Sequence, residues 1–411
     1  MAHFSDAQWV DIFDRLNGEP RAYGLPQRRN GSLVLSSFNI RKFGRLMNGS
    51  ETKRSAGSWD LLVDYCSRCD LVAIQEVLDD LSSLLHLRER LGKNWSILVS
   101  DQAGGIPGER GARERLAFIY RHDRLRHTGM ASDITFERSE IFDRIYDNRE
   151  DFIETFRERE QQLIEWQAQT EARMAEGKRP RPRPPFVLPH FIQFIRSPHL
   201  AAFETVGRSK AAPYEFIAVN AHLLYGDKSK QREERRREFK ALLDWIISRA
   251  AETDRVFAPN ILLFGDLNLD FKNNDRRREA VARFLRRLNT TKLKQAAKVN
   301  FPFLDPHPDR DNEFRTNARA NQTYDQIAIV ASDDRLPPPS ENDFASKRGV
   351  NGFDFGMFDF RQLFLDAVPE ATNPNTGKPV YSLFEHDVSD HMPIWIRLRR
   401  PRVRQREFLW E

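Results

Sequence analysis

The 411-residue sequence predicts a layered α/β-type fold, and three observations predict it. Short apolar runs recur along the whole chain, amphipathic segments of helical period lie between several of them, and no repeat of fixed period is evident. The runs are LVLSSFN (33–39), LVAIQ (71–75), SILVS (96–100), LAFIY (116–120), FIAVN (216–220), NILLFGD (260–266), QIAIV (326–330) and PIWIRL (393–398). They read as strands of a two-layered or mixed sheet. Helical patterns fall at 59–69, 80–91, 229–250 and 276–288.

One stretch departs from this rhythm. Ile141, Ile145, Phe152, Phe156 and Leu163 recur at steps of four and seven amid dense charge, the stripe of a long amphipathic helix. Pro180, Pro182, Pro184 and Pro185 follow, spaced by Arg181 and Arg183. Residues 137–190 therefore read as an inserted helical arm closed by a basic, extended polyproline-like segment. Such an arm serves as a substrate clamp, as a dock for a protein partner, or as a solvated helix packed on the sandwich. The remaining division is an N-terminal extension over 1–30, one domain over 31–398 and a basic tail over 399–411.

A content of 40% hydrophobic and 11% aromatic residues supports a large core and excludes a disordered chain or a miniature disulfide-held one. Lys and Arg number 65 against 60 Asp and Glu, but Arg397, Arg399, Arg400, Arg402, Arg404 and Arg406 lie together near the C-terminus. Without them the chain is close to neutral, so the basic balance describes a tail more than a body. Cys66 and Cys69 cannot make a disulfide framework, and their Cys-x-x-Cys spacing falls where a helix runs into a buried strand, which favours packed thiols over redox chemistry. The first twenty residues lack the basic start and apolar core of a signal peptide, so an intracellular, cytoplasmic address is expected. Mean hydropathy is −0.64 and no apolar stretch approaches the roughly 20 residues of a membrane helix.

The chemistry sits where strands end. Asn39 closes the first run, Glu76 the second, and Asp266 and Asn268 close NILLFG as Gly-Asp-Leu-Asn; Asp390 and His391 precede PIWIRL as Ser-Asp-His. Strand ends of a layered fold converge on one rim, where loops pool polar groups from distant parts of the chain. Taken singly, such residues are ordinary helix caps and turn formers. Jointly, Glu76 and Asp390 are hard oxygen ligands suited to Mg2+, and Asn39 and Asn268 orient phosphate or water without adding charge. His222, after FIAVNA, and His391 supply imidazoles, the side-chain type whose ordinary pKa lies near neutrality. This set suits metal-assisted phosphoester hydrolysis.

The order of these motifs resembles the endonuclease/exonuclease/phosphatase superfamily, most of all its deoxyribonuclease I branch. The carrying segments are Phe38-Asn39-Ile40-Arg41-Lys42-Phe43-Gly44, Ile74-Gln75-Glu76-Val77, Arg113-Glu114-Arg115, Gly265-Asp266-Leu267-Asn268, Tyr324-Asp325-Gln326-Ile327 and Ser389-Asp390-His391. They span nearly the whole chain in the family's order. The resemblance implies an α/β (α+β) four-layer sandwich: two packed mixed sheets flanked by helices, here with the inserted arm. It implies Glu76 as the holder of catalytic Mg2+, with Mn2+ or Ca2+ as alternatives, helped by Asn39 and Asp390. Asp266 and Asn268 would position phosphate and water, with His222 and His391 as acid/base imidazoles oriented by Glu114 and Asp325 respectively. Which imidazole is the base stays open, and Asp266 competes for that role. Arg41 and Arg196 resemble phosphate-contacting arginines.

The departures matter too. The deoxyribonuclease I branch carries an Arg two residues after its metal-binding Glu and a Tyr two before the Arg-Glu-Arg glutamate, both touching the minor groove. Leu78 and Ala112 stand there in this chain. Phosphodiesterase chemistry is thus implied more firmly than duplex reading. Basic clusters that offset the loss are the 228–240 segment, with Arg235 and Arg236, and the tail, with Arg399, Arg400 and Arg402. The expected activity is a Mg2+-dependent nuclease acting on nucleic acid, DNA by preference and endonucleolytically. Its rivals are a small-molecule or lipid-headgroup phosphoesterase and a catalytically silent binding module.

Overall fold

The computed structural model describes residues 3–29, 31–101, 104, 113–184, 186, 193–206, 213–226, 228–251, 260–269, 298–304, 314–331 and 354–399. The helix expected at 276–288, Ala112, Arg400 and Arg402 lie outside the described residues.

Two six-stranded sheets pack face to face. The first draws on β1 (Ser32–Phe43), β4 (Leu71–Leu78), β5 (Trp95–Val99), β6 (Glu114–Arg121), β13 (Asp354–Met357) and β14 (Ile394–Arg399), in the order β13-β14-β1-β4-β6-β5. The second draws on β7 (Leu125–Asp133), β8 (His199–Thr205), β9 (Glu215–His222), β10 (Asn260–Asp266), β11 (Lys298–Asn300) and β12 (Asp325–Ala331), in the order β11-β12-β10-β9-β8-β7. A small hairpin of β2 (Met47–Asn48) and β3 (Glu51–Thr52) stands apart. Both sheets repeat one pattern: a central parallel pair, β1 with β4 and β9 with β10, flanked by antiparallel neighbours. The expected runs all fall on these strands. The sequence reading did not anticipate β7, β8, β11 and β13, nor the β2–β3 hairpin.

Alternation along each strand sorts side chains into layers. In β10, Leu262 and Phe264 face the space between the sheets, while Ile261 and Leu263 face the opposite way and pack with Leu242, Leu243 and Ile246 of α6 (Ser229–Ala251). Burying each large apolar side chain fully contributes about 1.5–3 kcal/mol. The outer face of the first sheet is covered by α1 (Asp6–Gly18), α2 (Ala56–Ser67), α3 (Ser82–Leu91) and α7 (Phe360–Ala367), giving four layers. A further helix, α8 (Tyr381–Asp387), leads into the Ser-Asp-His turn.

Residues 1–30, read as an extension, carry α1, whose Trp9, Ile12 and Leu16 belong to the first core. Ser5 caps the helix by accepting from Gln8 N, and the Gln8 side chain accepts from Ser5 N in return. The arm is two helices rather than one: α4 (Arg138–Asp147) and α5 (Arg149–Ala175) break at Asn148. The proline segment lies back along α5, with Trp166 Nε1 donating to Arg181 O and Arg159 Nη1 to Pro184 O. Cys66 and Cys69 are free thiols without solvent exposure, and burial pushes the Cys66 thiol up to about 12. Among the described residues no helix is long and apolar enough to cross a membrane.

Candidate active site

Register brings the site together before any side chain is considered. Asp266, at the end of β10, pairs with His222 of β9 on one side and with Asp325 of β12 on the other. In the first sheet Asn39 pairs with Gln75, which places Glu76 one residue beyond. The turn before β14 delivers Asp390 and His391 to the same rim. Ser389 holds that turn: its Oγ donates to Asn39 O (2.7 Å) and accepts from Arg41 N (3.0 Å). The Ala318 amide also donates to Asp390 O (2.7 Å).

At the centre lies Asp266 Oδ2. Asn39 Nδ2 donates to it at 3.1 Å, and the Nε2 atoms of His222 and His391 stand 3.5 and 3.6 Å away. The other face of each ring meets a carboxylate: His222 Nδ1 is 3.1 Å from Glu114 Oε2, and His391 Nδ1 is 2.8 Å from Asp325 Oδ2. A carboxylate on one ring nitrogen fixes ring orientation and tautomer, leaving the other nitrogen for proton transfer. For His391, burial alone would lower the pKa, but Asp325, Asp266 and Asp390 together raise it well above 6.5. For Glu114, burial alone would raise it, and His222 and Arg196 outweigh that to lower it. Asp266 Oδ1 accepts from Asn268 N (2.9 Å), and Asn268 Nδ2 donates to Leu223 O (2.9 Å).

Glu76 is held from both sides, with Asn39 Nδ2 donating to Oε1 (3.2 Å) and Lys42 N to Oε2 (2.9 Å). Among the described residues four non-glycine positions adopt positive φ: Lys42, Glu76, Asn268 and Ala320. All four line or adjoin the cleft, and strained backbone of this kind costs on the order of 1–3 kcal/mol per residue. Gly265 serves a related need, since a Cβ there would lie 1.9 Å from Ala221 O. The arginines border the cleft: Arg196 Nε is 2.5 Å from Glu114 Oε2, and Arg41 Nη1 is 2.6 Å from Glu385 Oε2. Arg196 Nη1 is buried without a hydrogen-bond partner.

The donor set fits a divalent cation. Asn39 Oδ1 and Asp390 Oδ1 are buried and accept no hydrogen bond, and Glu76 and Asp266 add hard oxygens nearby. Asp266, Asp325 and His391 also form a buried group whose ligand atoms lie within 4.8 Å of one another. In that group His391 Nδ1 is already engaged by Asp325, which leaves Nε2 as the ring nitrogen free to ligate or to transfer a proton. The cleft measures about 730 Å³.

Of the basic candidates, Arg235, Arg236 and Arg399 are described, and they are not among the residues that line the cleft. Arg235 is buried, and its guanidinium donates to Leu224 O and Gly226 O, so it holds a loop instead of facing solvent. Arg236 is exposed on α6. Arg397, counted with the tail, is buried in β14, paired with Asp354 and donating to Gln27 O. Arg399 ends β14 opposite Ser32, the start of β1, so it lies at the far end of the sheet from Asn39, roughly 26 Å from His391 at ~3.3 Å per strand residue. Sequence reasoning missed Glu385, Glu238 and the Gln75–Asn220 pair, whose signal was polar residues inside apolar runs.

The fold and the site define a layered sandwich with paired imidazoles and hard oxygen donors at one rim. No protein-family model matches the chain. A deoxyribonuclease from Thioalkalivibrio sp. (strain K90mix) is 24% identical over 255 residues, 60% of this chain and 48% of that protein. The chain thus spans about half the length of the curated relative it matches. Among solved structures, truncated TDP2 of Caenorhabditis elegans is 13% identical, with 90% of this chain and 97% of that one covered, at TM-score 0.42. TDP2 of D. rerio complexed with a single-strand DNA product is 14% identical (90% and 99% covered, TM-score 0.43). An endonuclease/exonuclease/phosphatase family protein from Bacteroides thetaiotaomicron is 12% identical (89% and 97%, TM-score 0.39). At these scores the fold rests on the strand order and register given above, not on the superpositions.

Proposed function

We propose that the protein is a Mg2+-dependent nuclease that hydrolyses phosphodiester bonds of nucleic acid, DNA foremost and endonucleolytically, by in-line attack of water. The observation that carries this reading is the convergence of two carboxylate-braced imidazoles on Asp266 Oδ2, at 3.5 and 3.6 Å. Hydrolysis of a phosphodiester needs one proton taken from water and one given to the leaving oxygen, and two imidazoles with Nε2 turned to one point serve both needs. His391, whose pKa stands above its ordinary value, suits the donor role; His222, with Asp266 beside it, suits the acceptor role. Glu76, Asn39 and Asp390 would hold Mg2+, with Mn2+ or Ca2+ as alternatives. When bound, the cation supplies positive charge to the phosphate oxygens. Arg196, with its buried Nη1 lacking a partner, and Arg41 supply fixed positive charge for the phosphate, and Asn268 orients the water. The deoxyribonuclease relative supports DNA as the substrate.

The test is to incubate the protein with Mg2+ and, in parallel, supercoiled plasmid, circular single-stranded DNA, RNA and inositol phosphates. Cutting of circles that stops on adding EDTA is the expected result. Turnover of inositol phosphates alone would remove the nuclease reading.

A further inference from the structure

We propose that Tyr225 is a stacking platform for an unpaired nucleobase beside the scissile phosphate, so that the cleft takes single-stranded nucleic acid; this rests on the nuclease reading above. Among the described residues, Tyr225 is the exposed large hydrophobic side chain that lines the cleft, and it is 58% exposed only three residues after His222. Its backbone is held on both sides by buried charges of α6. Glu238 accepts from Leu224 N (2.8 Å), and Arg235 Nη1 donates to Leu224 O (3.0 Å) and Gly226 O (3.1 Å). Glu238 also accepts from Ile195 N (2.8 Å), which fixes the segment bearing Arg196 against the same helix. Gly226 turns the chain at φ 146°, a conformation that side-chain-bearing residues rarely adopt.

Buried charges are costly unless fully hydrogen-bonded. Here an Arg and a Glu are committed to the residues before and after a tyrosine that is itself left in solvent. A ring presented on so fixed a loop loses little freedom when it stacks. It is also braced from within: Tyr324 meets it edge to face (centroids 6.5 Å apart, 83°), and the Tyr324 ring lies over the imidazole of His391 (6.2 Å, 29°). The aromatic row therefore runs from the cleft mouth to the reacting groups. Arg319 and Asn321 line the same cleft and offer donors to a base edge or a phosphate. Bases in a duplex are paired and stacked on one another, so the ring face is open only to an unpaired base.

The experiment uses the full chain in EDTA, with binding read by fluorescence anisotropy. The probes are a labelled oligothymidylate and an equally long phosphodiester oligomer of abasic sugars. The protein should bind the base-bearing oligomer about tenfold or more tightly than the abasic one, the scale of one base stack. Tyr225→Ala should erase that preference by weakening the base-bearing complex, and Tyr225→Trp should keep it and show quenched indole fluorescence on binding. No preference in the unchanged protein, or equal weakening of both complexes by Tyr225→Ala, would overturn the platform. A protein with this binding preference that cleaves no nucleic acid in Mg2+ would sink the nuclease reading and sustain the platform.

Discussion

Asp325 sets the state of His391 before any substrate arrives. With its carboxylate 2.8 Å from Nδ1 and Asp266 beyond Nε2, the imidazole gains partners for its proton, and its pKa rises above 6.5 in the folded protein. A raised histidine pKa gives stability that is fully present below pH 6.5 and is lost as pH climbs through the folded value. In metal-free protein, side-chain nitrogen NMR should therefore find His391 protonated at pH 7, and Asp325→Asn should bring its titration down; a His391 that titrates at its ordinary value would refute the assignment. His391→Ala should cost on the order of 10²–10⁴ in hydrolysis rate, the usual worth of a positioned acid or base. Glu76→Gln should raise the Mg2+ concentration needed for half-maximal rate, read from a metal titration. At this scale the sequence was informative because strand-end carboxylates, amides and imidazoles must be those residue types. Glu385 and Glu238 left no local mark, since their partners Arg41 and Leu224 are a helix and a turn away in space but distant or unremarkable along the chain.

Between the two sheets the elements are joined by polar groups as well as packing. Gln75 Nε2 donates to Asn220 Oδ1 (2.6 Å), and Asn220 Nδ2 donates to Ile74 O and Ala117 O (3.0 Å each), all without solvent exposure. Gln75 precedes Glu76 and Asn220 lies two residues before His222, so this bridge sets how the two halves of the rim face each other. Asn220→Leu would take the side-chain donor from the Ile74 and Ala117 carbonyls and the Oδ1 acceptor from Gln75 in a dry interior, and should destabilise the fold by about 2–4 kcal/mol. Urea denaturation with an unchanged m-value is the check. Most strands that sequence patterning found are buried on both faces, with the edge strand β5 the half-exposed exception, and the patterning missed buried β8. It passed over β7, an edge strand whose LRHTGMASD alternates few apolar groups, and it joined α4 to α5 because the apolar stripe runs on through the break at Asn148.

Across the whole molecule, the two thiols report on integrity. Cys66 and Cys69 lie in the first core, and burial, by penalising the thiolate, raises both. The Cys66 contribution to stability is complete below about pH 9, the ordinary value, and diminishes as pH approaches 12. A thiol reagent at pH 8 should find no reactive group in the folded protein and two after denaturation; reaction of either in the folded state would contradict the packing. The layered α/β class was legible because the apolar runs are long enough to mark strands, and the sandwich only through the resemblance in motif order, whereas the matched order of the two sheets was not, since no sequence repeat accompanies it.

One part of that order bears on how the protein comes into being. Among the described strands β14 comes last along the chain, yet it slots between β13 and β1, one strand in from the edge of its sheet, and the turn ahead of it brings Asp390 and His391. A nascent chain surrounded by messenger RNA thus lacks one imidazole until residue 391 has been made. Termination before Ser389 would release a product with an open seam along β1, without that imidazole and prone to stick to its own kind.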